Sequence, residues 1–97
     1  MRQLKRESGS DYDNLKNLYK ETNEFIKKRS IGSCVDNVSS VFILSGKPDK
    51  SIVVKVRRAI GSVRIDFYFL EDNKLGHDEY HFDNFDEFFD FWMNKGF

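Results

Sequence analysis

Two runs constrain this chain more than any other feature. "SIVVKVRR" (51–58) and "SVRIDFYFL" (62–70) alternate apolar with polar or charged residues, and only 59–61 separate them. Successive side chains on a strand point to opposite faces, so this alternation marks two half-buried strands. Pairing Ile52 with Phe69, Val54 with Phe67 and Val56 with Ile65 collects all six on one face. A slip of one residue would turn one strand's apolar set to solvent. The chain must therefore bury one face of an antiparallel sheet and leave the other open.

The open face then carries Val53 opposite Tyr68, Lys55 opposite Asp66, and Arg57 opposite Arg64. Lys55 and Asp66 make a reasonable cross-strand ion pair. Arg57 and Arg64 repel when directly opposite. They call for relief by solvent or by Asp78 or Glu79 on a later strand, or else for a bound phosphate or carboxylate, which arginine forks grip bidentately.

The flanking segments complete an α+β plan. Ser10 followed by Asp13 resembles a capping box. Tyr12, Leu15, Leu18, Tyr19, Thr22, Phe25 and Ile26 then recur at helical spacing to about Arg29, with Gly32 beyond. A first strand spans about Cys34–Leu44, and 45–49 form a turn. After a second turn at 71–76, a fourth strand covers His77–Phe82. Asp83 or Asn84 caps a last helix in which Phe85, Phe88, Phe89, Trp92 and Met93 form the apolar stripe. The expected fold is a four-stranded antiparallel meander with N- and C-terminal helices packed on one face, in the order α-β-β-β-β-α. Residues 1–9 read as a basic leader and 10–97 as a single domain. The glycines at 9, 32, 46, 61 and 76 read as punctuation between elements.

Composition narrows the setting. Sixteen basic residues balance sixteen acidic ones, and Cys34 is the only cysteine, so an internal disulfide is impossible. With no apolar run near the ~20 residues of a membrane span, the expectation is a cytoplasmic protein. Ala59 is the only alanine, and Phe, Lys, Asp and Asn abound. AT-rich genomes, among them those of many phages and low-GC bacteria, produce this bias.

The balanced charge is segregated. Lys47, Lys50, Lys55, Arg57, Arg58 and Arg64 face only Asp49 in the middle of the chain. Glu71, Asp72, Asp78, Glu79, Asp83, Asp86, Glu87 and Asp90 face only Lys74. Such blocks steer encounters with charged partners or pair with each other inside the fold.

Two surfaces are candidate sites. Asp83, Asp86, Glu87 and Asp90 form a carboxylate row on the outer arc of the last helix, and Phe91 is turned off the apolar stripe beside them. An aromatic anchor among steering acids suits a protein partner with a basic surface, and evenly spaced carboxylates can imitate a phosphate row. This reading makes the chain a small protein-binding inhibitor. The alternative is a nucleic-acid binder using Lys55, Arg57, Arg64 and Tyr68 on the open sheet face, although neutral overall charge argues against it.

Catalytic and metal chemistry have thinner support. His77, Glu79 and His81 share a face, but two histidines four apart on a strand stand about 13 Å from each other, too far to share one ion. No phosphate loop, nucleophile elbow or zinc spacing is present. Cys34 reads as a small, half-buried residue. No catalytic residue, metal or cofactor is expected. The adjacent apolar residues Val41-Phe42-Ile43-Leu44 place hydrophobic groups on both faces of the first strand, which with Val53, Tyr68 and Leu70 suggests a homodimer patch.

Overall fold

The computed structural model describes residues 8–47 and 50–95. Its elements are α1 (Ser8–Lys27), β1 (Gly32–Cys34), β2 (Ser39–Lys47), β3 (Lys50–Ala59), β4 (Ser62–Glu71), β5 (Lys74–Phe82) and α2 (Phe85–Lys95). The strands form one sheet in the order β1-β2-β3-β4-β5, every neighbouring pair antiparallel. The α+β class stands, but the sheet has five strands rather than four.

The extra strand, Gly32–Cys34, shares only Cys34 with the segment expected as one strand over 34–44. The chain reverses through 35–38, so that Gly32, Ser33 and Cys34 pair with Ile43, Phe42 and Val41. The reversal lies at Asp36-Asn37, where Asp36 Oδ1 accepts the Asn37 backbone N–H at 2.7 Å. An aspartate that bonds the following backbone competes with a strand ladder and favours a turn. Cys34 is exposed on the short edge strand, not half-buried. A bulge between Ile43 and Ser45 then lets Leu44 pack on the core.

The central register is the one the alternation demands: Ile52↔Phe69, Val54↔Phe67 and Val56↔Ile65. The β4–β5 hairpin turns through Asp72 (φ 54°) and Asn73 (φ 64°). Two consecutive left-handed residues match the right-handed twist of the strands they join, and Asp and Asn tolerate that geometry best after glycine. Strand β5 therefore begins at Lys74, earlier than expected, and Gly76 lies inside it. It is not punctuation: the Phe69 ring, its cross-strand partner, lies where a Cβ would stand, with ring carbons 2.1–2.8 Å from that position.

Helix α1 begins by Ser8, so Ser10 lies inside it and is not its cap; residues 8 and 9 of the expected leader are helical, and 1–7 lie outside the described residues. Tightened bonds close its far end, Arg29 N–H to Ile26 O and Ser30 N–H to Lys27 O, and the Ser30 hydroxyl adds a second bond to Lys27 O. Both helices contribute to one core with the inner sheet face, including Ile26, Phe42, Val54, Val56, Ile65, Phe67, Phe82, Phe88 and Trp92. Fully burying each such aliphatic or Phe side chain contributes about 1.5–3 kcal/mol. No helix among the described residues is long and apolar enough to cross a membrane.

Candidate functional site

Helix α2 starts where Asn84 accepts the Glu87 backbone N–H on its side-chain oxygen at 2.9 Å. Asn84 is thus the N-cap, and Asp86 and Glu87 stand in the positive first turn. The helix is rooted by Phe88 and Trp92, both buried. Phe25 of α1 meets Phe85, Phe88, Phe89 and Trp92 edge-on, with centroids 5.5–5.9 Å away.

The apolar stripe is rotated from the expected one. Phe91 is half-buried and stacks flat on Tyr80 of β5, 4.1 Å between centroids and 5° between planes. It also lies 5.5 Å from Phe67. Lys95 binds Asp78 and holds its ammonium 5.4 Å from the Phe91 ring centre. Conversely, Phe89 is 40% exposed and Met93 60%. Phe91 is therefore no free anchor, whereas Phe89 and Met93, assigned above to the core, stand at the surface. Both stripes obey helical spacing, since Phe88, Phe91, Trp92 and Lys95 recur as regularly as Phe85, Phe89 and Met93. The tie between Lys95 and Asp78 and the Tyr80 ring decide between them.

Asp83, Asp86, Glu87 and Asp90 are all exposed. Helical geometry puts Met93 next to Asp86 and Asp90 on the outer arc, with Phe89 at its border. The result is a rigid acidic face carrying two accessible apolar side chains.

On the open sheet face, Lys55, Arg57, Arg64 and Tyr68 gather as the register requires, but around an acid. Asp66 is fully buried. Its carboxylate accepts Arg64 Nε–H at 3.0 Å and Nη2–H at 3.1 Å, and His77 Nε2–H at 2.8 Å. Arg57 Nη2 approaches to 3.8 Å. The expected Lys55–Asp66 pair is replaced by this cluster, and the carboxylate sits where it relieves the Arg57–Arg64 repulsion. Burial pushes the Asp66 carboxyl up, but the hydrogen bonds and charge of Arg64 and His77 outweigh it and hold the group below the usual carboxylate range. The same bond raises Arg64.

The network continues along β5. Arg64 reaches Glu79 at 2.9 Å, and His81 Nε2 donates to Glu79 at 2.7 Å. The His81 bond is the main cause that holds Glu79 low; desolvation opposes it, and the Arg64 charge adds to it. Tyr68 stacks on His77 at 4.5 Å. The Ser62 hydroxyl lies 3.4 Å from His81 Nδ1, giving a Ser–His–Glu chain. Both of its ionisable members are open to water, with side chains 48% and 41% exposed, unlike an activated nucleophile site. Beside this cluster, Val41, Ile43 and Val53 extend an apolar strip towards Tyr68. Among the described residues, no three His, Cys, Asp or Glu side chains gather as a metal site.

A groove of about 570 Å³ opens between α1 and the β1–β2 loop, lined among others by Lys16, Tyr19, Lys20, Asn23 and Val35. The Tyr19 hydroxyl donates to Asp36 O at 2.7 Å and meets Ser40 Oγ at 2.9 Å, which pins the loop to the helix. Sequence reasoning missed this groove because the loop exists only once the expected first strand is split. No protein-family model matches the chain, and no curated protein or solved structure matches it significantly.

Proposed function

We propose that the chain is a small protein-binding module that presents the outer arc of α2 to a basic surface on another protein, and that occupying this surface inhibits the partner. The observation that carries the reading is the exposure of Phe89 and Met93 beside Asp86 and Asp90, on a helix fixed from behind by Phe88 and Trp92. A helix already fixed from behind pays little further backbone ordering when a partner covers it, and Phe89 and Met93 supply the buried area of an anchor. The carboxylates raise the encounter rate with a basic surface and fix orientation. We read the chain as a binding module rather than an enzyme, working in the cytosol, where a single exposed thiol stays reduced.

The second reading is single-stranded nucleic acid on the open sheet face, favoured by the Tyr68–His77 stack beside Arg57 and Arg64. It ranks lower because Asp66 and Glu79 already engage both arginines or one of them. A labelled single-stranded RNA separates the readings: salt-sensitive binding lost in Arg57→Gln/Arg64→Gln but kept in Asp86→Lys/Asp90→Lys would favour the sheet face.

A further inference from the structure

The groove beside α1 has the chemistry that α2 lacks. Lys16 and Lys20 stand on one helix face, and neither has an ion-pair partner among the described residues. Arg58 and Asp36 also line the groove. Val35, 50% exposed, and the Tyr19 ring add apolar lining. At the far end Asn23 is 5% exposed, and its Oδ1 has no hydrogen-bond partner.

The outer arc of α2 offers the complement in matching order. Asp86, Asp90 and Asn94 follow one another at four-residue spacing, about 6 Å per step, while Lys16, Lys20 and Asn23 follow at about 6 and 4.5 Å. Laid parallel to α1, this arc sets Asp86 against Lys16 and Asp90 against Lys20.

We propose that the groove receives α2 of a second copy of the chain, so that copies associate head to tail. The inference rests on the reading of α2 as a face for basic surfaces and adds a specific occupant: at high concentration the chain occupies its own binding face. Because groove and helix are different surfaces, the contact is heterologous and does not close at two copies.

Sedimentation equilibrium on the purified chain from micromolar to millimolar concentration tests this. The weight-average mass should rise past two chains without a plateau and fall towards one chain as salt is added. Lys16→Glu/Lys20→Glu and Asp86→Lys/Asp90→Lys should each weaken association at least tenfold, and the two variants mixed, or all four changes in one chain, should restore it. Circular dichroism checks that every variant is folded. A monomer throughout, a plateau at two chains, or association indifferent to the swaps overturns the proposal. Failure here leaves the α2 reading intact if dilute chain still loses a partner through the α2 variants. Success here with a partner indifferent to those variants sinks that reading alone.

Discussion

Phe91 and Tyr80 lie face to face, 4.1 Å between ring centroids and 5° from parallel. This contact fixes the rotation of α2 on β5 and so decides which side chains the helix shows to a partner. Phe91→Ala should lower stability by about 1–3 kcal/mol through lost packing and leave partner capture unchanged once folded protein is compared. Phe89→Ala, which also gives up the edge contact with Phe25, should cost about 1–2 kcal/mol and weaken capture. Urea denaturation and capture, measured on both variants, check the assignment.

Trp92 is 2% exposed and touches the rings of Phe25, Phe67 and Phe88. Trp92→Ala should cost about 3–5 kcal/mol. A loss below about 1 kcal/mol in urea denaturation would place the root of α2 elsewhere.

Asp66 sets a pH dependence. Its folded-state pKa is depressed, so its stabilisation is fully present above the unfolded value, about 3.9, and is lost as pH falls through the folded value. Asp66→Asn should cost about 1.5–3 kcal/mol at pH 7, through weaker bonds to Arg64 and His77 and the exposed Arg57–Arg64 repulsion. The difference between variant and parent should shrink as pH falls below 4. A gap that stays constant from pH 7 to pH 2 would contradict the assignment.

Gly76 and Phe69 should behave as a coupled pair. Gly76→Ala places a methyl inside the Phe69 ring, and displacing that half-buried ring should cost about 1–3 kcal/mol. In a Phe69→Ala background the same substitution should be close to neutral. A double-mutant cycle measures the coupling.

The central register was legible because the pattern of 51–58 and 62–70 leaves one way to collect the apolar residues. The splitting of 34–44 was harder to see, since its signal is the Asp36-Asn37 pair, and Val35 and Val38 on either side look like strand residues although 50% and 58% exposed. The acidic row was legible because charges repel burial. The rotation of α2 was not: five aromatic residues within 85–92 allow two stripes, and the contacts that choose between them come from Tyr80 and Asp78, outside the helix. Strand pairing alone sets Asp66 opposite Lys55. The long arms of Arg64, two residues along the same strand, and of Arg57 on the next reach it instead.

The outer face of α2 carries the proposed function. The most direct measurement is capture of a partner from a cell extract by immobilised wild-type chain, compared with Asp86→Lys/Glu87→Lys/Asp90→Lys, Phe89→Ala/Met93→Ala and Arg57→Gln/Arg64→Gln, each first shown to be folded. The expected result is one protein retained by the parent and by the Arg57/Arg64 variant, and lost by both α2 variants, with retention by the parent falling as salt is raised. A partner held equally by the α2 variants, or released only by the Arg57/Arg64 variant, would contradict the account.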